Sequence, residues 1–235
     1  MSGLHRINRK KMRPTAPVLE QRNEMCSTAG RGSQREPLRS LAILFLLSVT
    51  GFLIAACRQH GYAGTVFEEA NPAAPIRGQN YDGAAFELAE LIGDPVLLFF
   101  GYTFCPDICP LTMLELASAK KTLEREAPAL GSDLKVVFVS VDPKRDSLAR
   151  LEPYILAFDP RFYAVRVPET ELEAVKQGYG LYTGAAEGHS LDDEYYLLDH
   201  TSRIFLIDRE GNWRALFSAD VTSEALAADL KELLR

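Results

Sequence analysis

Apolar positions run without a break in two short stretches, Pro95–Tyr102 (PVLLFFGY) and Lys135–Val141 (KVVFVSV). Runs of this length, rich in Val and Phe, predict strands buried on both faces. Between them the spacing lengthens. Leu111, Leu114, Ala117 and Leu123 recur at helical intervals with charged residues opposite, which predicts a helix over Leu111–Glu126. Strand, helix and strand make a βαβ unit, for which a right-handed crossover is expected. Ser147–Phe158 and Glu169–Tyr179 read as further helices. Arg203–Ile207 and Trp213–Phe217 read as strands joined by a turn at Asp208–Asn212. Thr222 is placed to cap a last helix that runs to Leu234. This periodicity supports an α/β fold with a mixed central sheet flanked by helices.

Upstream the pattern is of another kind. Leu41–Ala56 (LAILFLLSVTGFLIAA) carries no charge, with Arg35 and Arg39 before it and Arg58 after it. It is longer than a usual signal core and shorter than a full membrane span, and it has no polar face to mark it as a core helix. Two readings follow: an N-terminal transmembrane anchor, or a lipoprotein signal. In the second, Ile54-Ala55-Ala56-Cys57 resembles a lipobox, and Cys57 would be cleaved before and acylated. Charge agrees with either reading. Residues 1–40 hold nine basic and three acidic residues, whereas the remainder holds 17 and 29. A basic leader inside and an acidic body outside the cell membrane is the expected orientation. The division expected is a basic leader at 1–40, the anchor or signal at 41–57, a linker at 58–75 and one domain at 76–235. The linker reading rests on Gly61, Gly64, Asn71, Pro72 and Pro75, with at most one short strand near Thr65–Glu68.

The chain of 235 residues is 47% hydrophobic and 25% charged, enough for a real core. Its net charge of −6 argues against a general nucleic-acid binder. Four Cys are too few for a disulfide scaffold, so each is judged alone. Cys26 lies in the leader and is assigned no role.

Cys105 and Cys109, in Gly101–Pro110 (GYTFCPDICP), fall between the first buried strand and its helix. Sites in open α/β sheets form at such strand ends. A helix start also supplies unpaired N–H groups that lower a thiol pKa. Three residues separate the two Cys, where a thioredoxin-type redox motif has two. In a helical turn, positions i and i+4 face the same way, so both sulfurs can point at one ion. A disulfide stays open if the turn relaxes. Two thiolates need a third ligand for most metals. His5 is in the leader, His60 in the linker and His189 in an acidic, Gly-rich loop, while His200 stands just before a predicted core strand. Two thiolates and an imidazole suit a soft, low-coordinate ion. Cu(I) fits best, and Cu(II) fits with an added oxygen ligand. A structural zinc site would need a fourth protein ligand.

GYTFCPDICP, together with VSVDPKRDS at 139–147 and DHTSRIFLID at 199–208, resembles the Sco/SenC family of copper-binding assembly proteins. The resemblance spans about Gly78 to the C-terminus, and three spaced motifs in family order are more specific than any one. It implies a thioredoxin-like domain with an inserted hairpin and extra helix. It implies copper held by Cys105, Cys109 and His200. It implies that the binuclear copper centre of cytochrome c oxidase subunit II receives copper, or has its thiols reduced. An upstream copper donor or thiol reductant would then be a second partner. The acidic loop Tyr182–Glu194 is expected to be mobile and to gate His200. Asp142 and Asp146 either order the neighbouring loop by hydrogen bonds or belong to a plain turn at Asp142-Pro143.

The same residues serve a competing reading, a thiol-disulfide oxidoreductase in which Cys105 attacks and Cys109 resolves. His200 discriminates, because a reductase does not need it as a ligand. A peroxiredoxin-like peroxidase fits least. Its Pro-x-x-x-Thr-x-x-Cys pattern would require Pro and Thr where Leu98 and Tyr102 precede Cys105, or where Tyr102 and Pro106 precede Cys109.

Overall fold

The computed structural model describes residues 61–193 and 195–235. The basic leader, the Leu41–Ala56 segment and Cys57 lie outside the described residues. Among the described residues no helix is long and apolar enough to cross a membrane.

The two apolar runs form strands at the centre of the sheet. β4 (Val96–Gly101) is buried at all six positions, and β5 (Lys135–Ser140) at all but its first. They pair in parallel, with Phe99 opposite Phe138 and Gly101 opposite Ser140. Burial of consecutive residues means that both faces are covered, as their unbroken apolar pattern requires. Around this pair the eight-stranded sheet runs β1-β10-β9-β4-β5-β6-β2-β3. Its other members are β1 (Thr65–Pro72), β2 (Arg77–Asn80), β3 (Ala85–Glu87), β6 (Tyr163–Arg166), β9 (Arg203–Ile207) and β10 (Asn212–Ser218). β6 is parallel to β5, whereas β9 is antiparallel to β4, so the sheet is mixed.

The connection between β4 and β5 is α1 (Ile108–Glu126), followed by the short α2 (Pro128–Asp133). α1 begins three residues before the helix expected from periodicity. Pro110 is tolerated there because the first turn of a helix needs no N–H from it. α3 (Leu148–Leu156) packs against β6, and α4 (Glu169–Gly178) follows that strand. The last helix, α5 (Ser223–Leu233), packs on α1, and Thr222 caps it by accepting the Ala225 N–H at 3.3 Å. The turn after β9 also forms as expected. Asp208 accepts the N–H groups of Glu210 and Asn212, and Gly211 takes φ +84°.

The segment expected as a linker is corrected. Thr65–Pro72 is an edge strand, antiparallel to β10, twice as long as the strand allowed for it. The strand has no sustained alternation to show it: Glu68 and Glu69 are adjacent, Pro72 ends it, and its pairing is irregular between Val66 and Asn71. Ala73 and Ala74 pack against the core, so the domain starts well before residue 76. Other elements lacked a legible pattern. β2, β3 and β6 are three or four residues long, and α2 has a single turn of sequence to declare it. Within the stretch expected as a mobile loop, β7 (Thr183–Ala185) pairs with β8 (Leu198–His200) as a separate two-stranded ribbon.

Candidate metal centre

The site lies at the C-terminal end of β4. Cys105 precedes α1, and its backbone N–H closes a turn onto the Tyr102 carbonyl at 3.2 Å. Asp107 stands at the N-cap of α1 but supplies no side-chain cap. The sulfur of Cys105 takes part of that role by accepting the Cys109 N–H at 3.5 Å. The two sulfurs therefore converge because Cys105 folds over the helix start, not because both belong to one helical turn. Cys109 is inside α1 and fully buried, while Cys105 is half-exposed. Gly101 makes the room. A Cβ added there would lie 2.9 Å from the Cys109 sulfur and 2.8 Å from the Phe138 ring.

His200 arrives from the other side, on β8. Its Nε2 is 3.4 Å from the Cys109 sulfur. Its Nδ1 is 3.2 Å from the Thr201 carbonyl, which can only accept. The ring proton therefore belongs on Nδ1, and Nε2 presents its lone pair to the thiols. Tyr102 and Phe99 meet the imidazole edge-on, with centroids at 5.7 and 6.5 Å. The ligand atoms of Cys105, Cys109 and His200 all lie within 4.8 Å of one another. Metal–sulfur bonds of about 2.3 Å set two ligands of one ion at most about 4.6 Å apart. Three ligands around one ion lie nearer, about 4 Å apart, so the trio closes on one ion by a contraction of under about an ångström. Among the described residues it is the one such cluster.

The thiols are unequal. The hydrogen bond from Cys109 is the largest influence on Cys105; it and the Asp107 and Cys109 N–H groups act against burial, and the Cys105 pKa falls to about 4. Cys109 moves the opposite way, because it gives that hydrogen bond, is buried and faces a negative sulfur. Cys105 is the thiolate and Cys109 the thiol of the metal-free pair.

The loop after β5 braces this arrangement. Asp146, fully buried, accepts from Ser140 Oγ at 2.6 Å and from Thr103 Oγ1 and N–H at 2.6 and 3.1 Å. Burial pushes its carboxyl up, against the pull of those bonds. Asp142 accepts from Tyr196 Oη at 2.8 Å and from Arg145. Both aspartates thus bind within their own loop and also reach neighbouring segments, Asp146 at Thr103 and Asp142 at Tyr196. Sequence reasoning missed Gly101, Tyr102, Arg145 and Tyr196. Their only sequence signal was membership of, or nearness to, the three motifs.

Residues 68–235 match the SCO1/SenC family. The chain belongs to the SCO1/SenC family. Its fold is that of solved Sco proteins. ScoI of Bradyrhizobium japonicum, solved with copper bound, aligns with a TM-score of 0.61 at 32% identity, over 69% of this chain and 99% of that one. Apo Sco1 of Thermus thermophilus aligns with a TM-score of 0.66 at 31% identity, over 75% and 99%. The SCO2-like protein of Rickettsia felis is 31% identical over 150 residues, 64% of this chain and 71% of the relative. The thioredoxin-like α/β domain expected from the motifs is the fold observed.

Proposed function

We propose that this Sco protein carries one copper ion on Cys105 Sγ, Cys109 Sγ and His200 Nε2, and passes it to the binuclear centre of cytochrome c oxidase subunit II. The observation that carries this reading is the convergence of two sulfurs and a lone-pair nitrogen within 4.8 Å at a strand end. Two soft sulfurs and one imidazole make a donor set suited to Cu(I). Support also comes from relatives of the same family solved with copper bound. Sco proteins are cytochrome c oxidase assembly factors. Transfer runs by ligand exchange, with Cys105 the first protein ligand met by an acceptor because it is the more exposed sulfur. A disulfide between the two Cys offers no thiolate, so the redox state of the pair sets metal loading. The chain works at the outer face of the cell membrane, held there by Leu41–Ala56 or by lipid on Cys57. The mass of the membrane-extracted N-terminus distinguishes these anchors.

A second reading has its own observation. A half-exposed thiolate beside a buried thiol is the arrangement of a nucleophile and its resolving partner. In that reading the chain reduces a disulfide between the copper-ligand cysteines of subunit II to two thiols, and Cys105 and Cys109 are left joined as a disulfide. A titration of the reduced chain with Cu(I) against a competing chelator separates the two. One tight equivalent is expected, lost in Cys105→Ser and Cys109→Ser and weakened about tenfold or more in His200→Ala. Binding indifferent to His200 would instead favour the reductase.

A further inference from the structure

Arg145 lies in the loop between β5 and α3, and its side chain is largely enclosed. Nε pairs with Asp142 Oδ2, and Nη1 donates to the Tyr196 carbonyl at 2.7 Å. The carbon of the guanidinium is 3.4 Å from the centre of the Tyr196 ring, 4.6 Å from that of Phe104 and 5.7 Å from that of Tyr102. Nη2 is buried and has no hydrogen-bond partner among the described residues. An N–H left without an acceptor is costly, and aromatic faces are what this guanidinium has in exchange. Tyr196 returns the contact through its hydroxyl, which donates to Asp142. One cation therefore joins three segments: the thiol-bearing turn through Phe104 and Tyr102, the β5–α3 loop through Asp142, and the acidic segment through Tyr196.

Tyr196 stands four residues before His200, and the Leu198 N–H between them donates to Tyr102 Oη at 3.1 Å. The chain that brings His200 to the thiols is thus fastened to the thiol-bearing turn next to the Arg145 cluster. β8 is otherwise held by its ribbon with the three-residue β7, which Ala186 N–H to the Leu197 carbonyl and Thr201 N–H to the Tyr182 carbonyl extend, and by Leu198, which packs against the core. Lys144 adds one exposed bond, to the Leu191 carbonyl at 3.0 Å.

We propose that Arg145 is a positioning residue for the metal centre: the Arg145–Asp142–Tyr196 clamp fixes the height of His200 over the Cys pair. This rests on the three-ligand reading above, and concerns the third ligand alone. Without the clamp the two thiols keep their places, which α1 and Asp146 set, while His200 moves on a loosened ribbon. Arg145 is the residue to change because Lys cannot reproduce it. An ammonium has neither the planar face for Tyr196 nor the fork that reaches a carboxylate and a carbonyl together.

The test uses the full 235-residue chain, reduced, with Arg145→Met, Arg145→Lys and Tyr196→Phe, each made alone and in the His200→Ala background. In the otherwise unchanged chain, Arg145→Met is expected to lower Cu(I) affinity about tenfold, Arg145→Lys nearly as much, and Tyr196→Phe less. In the His200→Ala background the same changes are expected to shift affinity less than about twofold, since the group they position is gone. X-ray absorption of the Cu(I)-loaded Arg145→Met chain is expected to show the nitrogen ligand lost and both sulfurs kept. On metal-free protein, amide exchange at Leu198–His200 is expected to quicken while exchange in β4 and β5 does not. Equal losses of affinity with and without His200 overturn the proposal, as does unchanged exchange at Leu198–His200. If the unsubstituted chain binds no Cu(I), the three-ligand reading fails. The exchange arm then still decides whether the clamp holds this segment.

Discussion

Cys105 and Cys109 have the same side chain, four positions apart, and the structure makes them different reagents. The difference comes from location: one is half-exposed over a helix start, the other buried within it. With its pKa lowered to about 4, Cys105 is already a thiolate across the neutral range. An ordinary thiol, with a pKa near 8.5, gains reactivity about tenfold per pH unit below that value. Iodoacetamide is therefore expected to modify Cys105 in the reduced, metal-free chain at a rate nearly constant from pH 6 to 8, and to leave Cys109 unmodified in the folded state. Peptide mass spectrometry over a time course reads both. A Cys105 rate that climbs tenfold per unit over this range would contradict the assignment. Gly101 belongs to the same scale. Its missing Cβ is the space that the Cys109 sulfur and the Phe138 ring occupy.

At the scale of elements, the least anticipated feature is β1. It covers the outer edge of β10, and its contacts reach further than the ladder. Phe67 meets Trp213 at 6.4 Å, and Arg214 donates to the Phe67 carbonyl at 2.8 Å. Asp229 of α5 accepts the Ala63 N–H at 2.7 Å, just ahead of the strand. Removing β1 leaves β10 with a row of unpaired backbone groups, a template for pairing with another chain. A chain shortened to start at Gly61 is expected to melt as a monomer. One shortened to start at Ile76 is expected to melt at a lower temperature and to self-associate. Thermal denaturation with sedimentation measures both, and identical behaviour would return this segment to the role of a linker.

At the scale of the whole molecule, burial of tyrosine sets the alkaline limit. Tyr102, Tyr154 and Tyr179 are pushed up from the usual value near 10 chiefly by burial, and Tyr196 reaches about 12 through burial and the Asp142 hydrogen bond. Above pH 10 the unfolded chain releases these protons and the folded chain keeps them. Stability present below pH 10 is then lost as pH rises toward 12. Lys120, buried with its ammonium on the Gly131 and Leu134 carbonyls, has a lowered pKa and acts in the other direction up to about pH 10.5. The urea midpoint is expected to fall steeply between pH 10.5 and 12, and less steeply in Tyr154→Phe. A flat profile in that window would argue against protonated, buried phenols.

Local sequence determined much of this protein. The unbroken apolar runs could be stable only as central strands, and the helical spacing after Cys109 only as a helix between them. The two Cys and His200 were legible because thiolate and imidazole are scarce residue types, and because three motifs in order carry the family's pattern. What only tertiary structure decided is how those groups differ and what holds them. Whether β1 is linker or strand depends on a partner edge 140 or more residues away, which no local period encodes. Thiolate and thiol are told apart by burial, which arises when α1 packs on the sheet. Arg145 and Tyr196 are an ordinary loop cation and an ordinary loop aromatic until folding stacks them. Their effect is a contact energy between segments distant in sequence, and only the assembled chain contains it.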